Sequence, residues 1–458
     1  MTDQPEDTSR RSNSGRGNRH VNADRLWRDV MGLGAITDPG RPYTRRCFTD
    51  RFLDGRRWLA GRFAEAGLEV HLDAAANMIG RLEGNEHGLP VLAIGSHSDT
   101  VPSGGRFDGC LGILAGLEAV RTLRDRGIRL RHGIEIIDFL SEEPSDYGLS
   151  CIGSRAMSGC LESGMMAFAN RGGESLQAAM RRMGADGSPH EAPPREDIAA
   201  FLELHIEQGR ILETSSTDIG VVTGIVGILR LEIVFLGTAD HAGTTPFDLR
   251  GDALVAAART VMEVRRIGQR FASAEDGYFI ATTGCFDVEP NAANVVPGRV
   301  RLIVEARAEA RQHMDAFRDE LDAATLEAAA AANVGREVYG QVSRSEPVRL
   351  SPPLQRHLSK AANVLGLSSV AMASGAGHDA AFVARIAPSA MIFVPSRMGR
   401  SHSPDEWTEK DQCADGAAVL LQALLQIDCD NAFGDHASRS ASANPERPAA
   451  MRGKGVDL

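Results

Sequence analysis

The stretch that decides the fold is Val91-Leu92-Ala93-Ile94-Gly95-Ser96-His97-Ser98-Asp99-Thr100, continued by Phe107-Asp108-Gly109. Its apolar opening predicts a buried strand that ends at His97, and a helical pattern begins just after Asp108. Imidazole and carboxylate both bind borderline divalent ions such as Zn²⁺. Asp99 stands where it can accept the other ring N–H of His97 and fix the tautomer. A histidine beside an aspartate is more often an ordinary solvated loop, so the metal hypothesis needs further ligands from elsewhere.

The composition of the whole chain narrows the possible classes of protein. The 458 residues suggest two or three domains, and a formal net charge of −11 argues against nucleic acid or an anionic membrane as the main partner. No apolar run reaches the roughly 20 residues that span a bilayer, and no apolar h-region follows the N-terminus. The seven cysteines are dispersed without a C-x-x-C pair, which is typical of reduced thiols in a cytoplasmic protein.

Alternating strand and helix patterns predict the α/β class. Residues 111–123 repeat apolar side chains at helical spacing, and residues 134–140 form a second apolar run. A strand, a helix and a strand in this order indicate a mainly parallel sheet. In such sheets ligands bind beyond the carboxyl ends of the strands. The helical pattern of residues 22–67 precedes these elements.

The domain organisation follows from changes of pattern along the chain. Residues 224–340 mix alternating strands with two amphipathic helices, so we expect a separate α+β domain inserted there. The catalytic domain then comprises residues 21–223 and 341–430. Residues 1–20 and 431–458 contain few apolar side chains, so we expect disordered tails.

Further His/acid clusters follow the other predicted strands. Glu142 and Glu143 come directly after the run at residues 134–140, His205 lies in an alternating stretch, and His402 follows the apolar residues 391–394. Each has an ordinary structural interpretation taken singly, as a solvated acid pair or a hydrogen-bonded core histidine. Together the candidate ligands are His97, Asp108, Glu143, His205 and His402. Such a set, with one bridging acid, can hold two divalent ions roughly 3.5–4 Å apart, and Glu142 remains as a general base.

The motifs resemble those of one known family, the amidase/hydantoinase/carbamoylase family of the M20 metallopeptidase-like superfamily. This family includes N-carbamoyl-L-amino acid hydrolase and allantoate amidohydrolase. The resemblance runs in order across about residues 22–428. The matching segments are Gly95–Thr100, Phe107–Gly109, Glu142-Glu143, Leu204–Gly209, His241–Pro246, Ser374–Asp379 and Ile392–His402.

The resemblance implies a zinc-peptidase-like catalytic domain, an inserted lid/dimerisation domain and a homodimer. It implies two divalent ions per subunit, Zn²⁺ first, with Mn²⁺ or Co²⁺ as alternatives. The five candidate ligands match the family's metal ligands, with Asp108 bridging, and Glu142 matches the catalytic base. His241 matches a residue that stabilises the oxyanion, often across the dimer. The substrate-side matches are Asn294 and Arg307, which would hold a carboxylate, together with Gln208 and Gly377.

The resemblance and the carboxylate-binding pair favour an N-carbamoyl-L-amino acid or similar ureido acid as the substrate, cleaved by a metal-activated water. Ile228 stands where close relatives commonly have glutamine, and Pro144 opens a segment that is usually led by glycine. Loss of a polar side chain at position 228 favours a less polar substrate than allantoate. The alternatives are allantoate hydrolysis, a dipeptidase, and a non-catalytic ligand-binding protein, which would have no use for Glu142 as a base.

Overall fold

The computed structural model describes residues 21–273 and 277–433. The predicted disordered tail at residues 1–20 therefore lies outside the described residues. Of the predicted tail at 431–458, only Asn431–Phe433 is described, and these residues form a short 3₁₀ turn. In the described part of the chain, no helix is long and apolar enough to cross a membrane.

The elements are numbered in chain order. The strands are β1 (Glu69–Leu72), β2 (Met78–Leu82), β3 (Val91–His97), β4 (Ile134–Phe139), β5 (Ile198–Ile206), β6 (Ile219–Ile225), β7 (Gly227–Leu236), β8 (Phe279–Glu289), β9 (Arg299–Ala308), β10 (Gly335–Ser345), β11 (Val348–Arg349), β12 (Ser369–Ser374) and β13 (Ser389–Val394). The helices are α1 (Ala23–Gly34), α2 (Asp50–Glu65), α3 (Cys110–Asp125), α4 (Ile152–Met157), α5 (Leu176–Arg182), α6 (Ile211–Ser215), α7 (Ala253–Ala272), α8 (Arg311–Ala331), α9 (Pro352–Val364), α10 (Ala380–Val383) and α11 (Lys410–Asp428).

These elements form two compact units. The first unit extends to Val221, resumes at Leu350–Ala371, and continues from His378 onwards. The second unit comprises Val222–Arg349 and Met372–Gly377. The boundary expected from the sequence at residue 340 falls inside β10, because that strand continues to Ser345.

The sheet of the first unit confirms the predicted fold class, α/β with a mixed, mainly parallel sheet. Its order is β1-β2-β4-β3-β5-β13-β6. Strand β3 runs parallel to β4 and β5, and β13 runs parallel to β5, whereas β1 and β2 are antiparallel. The carboxyl ends of β3, β4, β5 and β13 therefore meet at one edge of the sheet.

The four central strands are buried along their whole length, as expected for parallel strands covered on both faces. The alternation in β5 predicted one polar face, but Glu203 and His205 are as buried as their apolar neighbours. The helical pattern at residues 22–67 comprises two helices, α1 and α2. The Asn22 side chain caps α1 and the Thr49 side chain caps α2, each accepting a backbone N–H of the first turn.

The second unit is an α+β arrangement. Its antiparallel sheet has the order β10-β7-β9-β8, and α7 and α8 pack against it. Side chains of β9 alternate strictly between buried and half-buried positions, so one face of the sheet forms the core with these helices. The end of β6 pairs with β11 in this unit, with Ile225 opposite Val348.

Candidate metal centre

Two groups of possible metal ligands lie at the strand ends of the first unit, and they share Asp108. The His97 group consists of His97, Asp108 and His205, and the His402 group consists of Asp108, Glu143 and His402. Within each group the ligand atoms all lie within 4.8 Å of one another. The sheet topology explains why these residues lie close together. His97 and His205 belong to β3 and β5, while Glu143 and His402 follow β4 and β13, and the carboxyl ends of all four strands lie side by side.

The two carboxylate oxygens of Asp108 face different groups. Oδ1 lies 3.1 Å from Nε2 of His205 and 3.6 Å from Nε2 of His97. Oδ2 lies 3.2 Å from Nε2 of His402, which is 3.3 Å from Oε1 of Glu143. Two ligands of a tetrahedral zinc ion are about 3.3 Å apart, given bonds of about 2.0–2.1 Å. Both groups therefore fit a small divalent cation, with Asp108 as the shared ligand.

The tautomers of the two strand histidines also fit metal binding. Nδ1 of His97 donates to the main-chain carbonyl of Asp99 at 3.0 Å, and Nδ1 of His205 donates to that of Ile206 at 2.9 Å. A carbonyl can only accept, so each ring carries a proton on Nδ1 and presents Nε2 to Asp108 and the rest of its group. Nε2 of His205 accepts the Gly109 N–H at 3.2 Å.

Asp99 accepts the other ring N–H of His97, as the sequence predicts, and it does so through its backbone carbonyl. The carboxylate lies 3.6 Å from the ring and accepts the backbone N–H groups of Glu142 and Glu143, each at 3.2 Å. Asp99 therefore fixes both the histidine at the end of β3 and the acidic pair after β4.

The charges in the cluster compensate one another. Burial opposes ionisation of Asp108, but contacts with His205 and His402 outweigh it and hold the pKa of its carboxyl well below the ordinary range. Burial likewise opposes protonation of His205, yet Asp108 raises the pKa of that imidazole to about 9. Hydrogen bonds with Asp108 and Glu143 raise the pKa of His402 to about 10. The carboxylates thus create a site that stabilises positive charge.

Glu142 lies beside both groups without belonging to either. Its side chain is buried, with Oε2 3.6 Å from Nε2 of His97. Burial and the neighbouring Glu143 raise the pKa of the Glu142 carboxyl well above its ordinary value, and a basic carboxylate is what general-base catalysis requires. The thiol of Cys151 donates to Oε1 at 3.4 Å, a contact that the sequence did not indicate.

Gln208, expected on the substrate side, reaches the bridging residue. Its side-chain amide donates to Oδ2 of Asp108 at 2.8 Å and to Oγ of Ser401 at 3.2 Å. Ser401 in turn contacts the same Oδ2 at 2.9 Å. The structure therefore brings Gln208 to the shared ligand itself.

Glu203 and His378 form a third possible group with His205 that the sequence analysis did not select. Glu203 accepts the Ser96 hydroxyl at 3.0 Å and the Ala380 N–H at 3.2 Å, and burial raises its pKa to about 7. The rings of His378 and His205 have centroids 4.6 Å apart. The available sequence signal was that Glu203 and His205 share one face of β5.

The other predicted substrate-side residues belong to the second unit. His241 forms an isolated bridge with Val295, and the neighbouring Ala242 N–H donates to the carbonyl of Asn294 at 2.9 Å. Arg307 donates to the carbonyl of Gly375 at 2.6 Å, two residues before Gly377. The structure therefore brings His241 near Asn294, and Arg307 near Gly375 of the segment Ser374–Asp379.

Known proteins match this architecture over most of the chain. The model of peptidase family M20/M25/M40 matches residues 93–426. An N-carbamoyl-L-amino-acid amidohydrolase of Paenarthrobacter aurescens is 37% identical over 89% of this chain and 98% of its own length. The chain belongs to peptidase family M20. The matched M20 region contains all five candidate ligands.

Other members of the M20 family point to the same reaction class. An allantoate amidohydrolase of Bacillus subtilis is 34% identical over 86% of this chain and 94% of its own. The crystal structure of an amidase of the hydantoinase/carbamoylase family from Burkholderia multivorans has a TM-score of 0.83 and 35% identity, covering 90% of this chain and 98% of that one. The resemblance to this family is confirmed. This M20 member is a hydrolase of carbon–nitrogen bonds other than peptide bonds, a metal-dependent amidohydrolase.

Proposed function

We propose that this protein hydrolyses N-carbamoyl-L-amino acids to the free amino acid, CO₂ and ammonia, with two divalent ions in each subunit. The observation that carries the proposal is Asp108, which offers one oxygen to the His97 group and the other to the His402 group. Each group combines imidazole with carboxylate ligands, a set that suits Zn²⁺ and that Mn²⁺ or Co²⁺ also accept. The similar Paenarthrobacter enzyme, named for this substrate class, supports the choice.

The chain's own residues divide the chemical work. His97, Asp108 and His205 would hold one ion, and Asp108, Glu143 and His402 the other. When bound, the ions supply Lewis acidity, which acidifies water and polarises the ureido carbonyl. Glu142 removes a proton from the attacking water as its oxygen bonds to the ureido carbon. Glu142 then returns that proton to the amino-acid nitrogen as its bond to the ureido carbon breaks, and the carbamic acid released decomposes to CO₂ and ammonia.

Arg307 has the free donors that a substrate carboxylate needs. Of its five N–H groups, Nε and one on Nη2 go to Glu305 at 2.8 Å, and one on Nη1 goes to Gly375. Among the residues that the structure describes, one N–H therefore has no partner on each terminal nitrogen, and the two form the fork that binds a carboxylate in two places. We assign the substrate carboxylate to Arg307, with Asn294 and Gly377 as further contacts.

The neighbours of Arg307 favour an apolar substrate. Ile228 lies directly opposite Arg307 on β7, and Ile280 lies opposite it on β8. Directly opposed side chains share one face of the sheet, about 4.5–5.5 Å apart at Cβ. A carboxylate held by Arg307 is thus flanked by two aliphatic side chains. This supports amino acids with apolar side chains.

We extend the proposal to a homodimer in the cytoplasm. His241 is exposed on the second unit, and we assign it to the developing oxyanion, across the dimer as in the family that the sequence resembles. All seven cysteines lie in the described part of the chain and are free, which supports a reducing compartment.

Allantoate is the second candidate substrate, because the similar Bacillus subtilis protein is named for it. A panel assay separates the two. Ammonia release is measured with Zn²⁺- or Mn²⁺-loaded protein on N-carbamoyl-L-amino acids of graded side-chain size, β-ureidopropionate and allantoate, with free amino acid followed on dipeptides. Turnover of apolar carbamoyl amino acids is expected. Turnover of allantoate alone would overturn the substrate assignment. No turnover of any compound in the panel would overturn the proposed activity.

A further inference from the structure

We propose that Glu406 is a positioning residue that fixes Asp108 as the shared ligand and ties it to the segment that carries His402. The inference rests on the two-metal function proposed above. Glu406 has only 1% of its surface exposed and belongs to neither ligand group. Its carboxylate accepts hydrogen bonds from Phe107, Asp108 and Ser401, which lie around the metal centre.

One oxygen of Glu406 holds the backbone that presents Asp108. Oε1 accepts the N–H of Phe107 at 2.8 Å and that of Asp108 at 3.1 Å. These residues stand immediately before α3, separated from Glu406 by almost 300 positions in sequence. Because two consecutive N–H groups end on one carboxylate oxygen, the turn that aims the Asp108 side chain is fixed from outside the helix.

The other oxygen connects Glu406 to His402 and back to Asp108. Oε2 accepts the hydroxyl of Ser401 at 2.9 Å, and the same Oγ lies 2.9 Å from Oδ2 of Asp108. Ser401 directly precedes His402, whose Nε2 faces that same Oδ2 at 3.2 Å. Glu406, Ser401 and Asp108 thus form a closed ring of contacts behind one ligand group.

Close packing leaves Glu406 little freedom. A Cβ added at Gly105 would lie 1.8 Å from Oε1 of Glu406, far inside contact distance. A glycine at position 105 is therefore required for the carboxylate to reach Phe107 and Asp108. The position of Glu406 is set by the loop that it supports.

The two ligand groups depend on Glu406 unequally. In the His402 group, Asp108 and His402 both belong to segments that Glu406 holds, whereas in the His97 group only Asp108 does. Loss of hydrogen bonds that orient metal ligands typically weakens metal affinity about 10- to 100-fold. Removing the Glu406 carboxylate should therefore weaken metal binding by the His402 group much more than metal binding by the His97 group.

The test is a Zn²⁺ titration of the folded protein in chelator-buffered zinc, with bound metal counted per chain. The variants are Glu406→Ala, Glu406→Gln and Ser401→Ala. Glu118→Ala is the matched control, because Glu118 is a fully buried carboxylate of the same unit that accepts hydrogen bonds from Asn22, Arg25 and Thr122. Thermal unfolding of each metal-free variant separates loss of fold from loss of metal.

For Glu406→Ala we expect one of the two zinc ions to lose about 10- to 100-fold in affinity and the other to lose less. Glu406→Gln keeps an oxygen for the two N–H groups and places its NH₂ beside Ser401, so it should retain most of the affinity. Equal zinc affinity in Glu406→Ala and the unmodified protein would overturn the inference. So would an equal loss of zinc affinity in Glu118→Ala.

If Glu406→Ala fails to fold, the same comparison is made with Ser401→Ala, where unchanged zinc affinity contradicts the inference. A single zinc in the unmodified protein would instead contradict the two-metal proposal.

Discussion

Gly109 shows how one residue without a side chain shapes the metal centre. Its φ of +65° is a conformation that side chains disfavour, and an added Cβ would lie 2.4 Å from the ring of His97. Its N–H also donates a hydrogen bond to Nε2 of His205. The backbone therefore passes directly against two candidate ligands, which only glycine permits.

Gly109→Ala is expected to weaken Zn²⁺ binding about tenfold or more, because the methyl group displaces His97. Gly127→Ala is the matched control, with a φ of +66° and no atom within 4 Å of the added Cβ. Both variants bear a similar backbone cost of roughly 1–2 kcal/mol, visible as a lower Tm. Only Gly109→Ala should lose metal when bound zinc is counted, and full zinc retention would contradict the assigned role of His97.

Glu142 is the side chain on which the proposed chemistry depends. Glu142→Gln keeps its shape but cannot accept a proton, so kcat should fall at least about 100-fold. Bound metal should not change, because Glu142 belongs to neither ligand group. The measurement is steady-state ammonia release beside metal analysis of the same sample. A variant with nearly full kcat would remove Glu142 as the base.

At the scale of elements, β9 is the proposed carboxylate-binding strand. Arg307→Ala should lower kcat/KM about 30-fold, corresponding to about 2 kcal/mol for a charged contact to substrate. Arg301→Ala is the control from the same strand, since Arg301 is similarly exposed and pairs with Glu232 and Asp287. The loss should disappear when the substrate carboxylate is replaced by a carboxamide. Equal losses in both variants would contradict the assignment.

Variants of Ile228, on strand β7, test whether the polarity of the substrate site sets the choice of substrate. Ile228→Gln places an amide opposite Arg307, so the ratio of kcat/KM for allantoate to that for an apolar N-carbamoyl amino acid should rise about tenfold. Ile228→Ala controls for space alone and should not raise that ratio. If both variants leave the ratio unchanged, position 228 does not contribute to specificity.

At the scale of the whole molecule, local patterns predicted the elements that carry the centre. The apolar runs of β3 and β4 and the helical repeat of α3 appear as expected. The meeting of their carboxyl ends follows from parallel topology alone. Asp108, His205 and His402 could therefore be grouped before any distance was known.

Contacts between distant parts of the chain were not predictable from such patterns. Glu406 forms a hydrogen bond with Asp108 although the two residues are 298 positions apart in sequence, and Gln208 does so from a distance of 100 positions. In sequence Glu406 looks like a surface residue, because burial is a property of the fold. Likewise, Met372–Gly377 joins the second unit, although the sequence placed it in the catalytic domain.

The most direct test of the account is ammonia release from an apolar N-carbamoyl-L-amino acid as metal-free protein receives Zn²⁺ from zero to excess. The shared ligand Asp108 predicts that activity is negligible without metal and reaches its plateau only near two equivalents per chain. Stripping the metal with chelator should abolish the activity, and zinc should restore it. Full activity in metal-free protein, or a plateau at one equivalent, would contradict the two-metal mechanism.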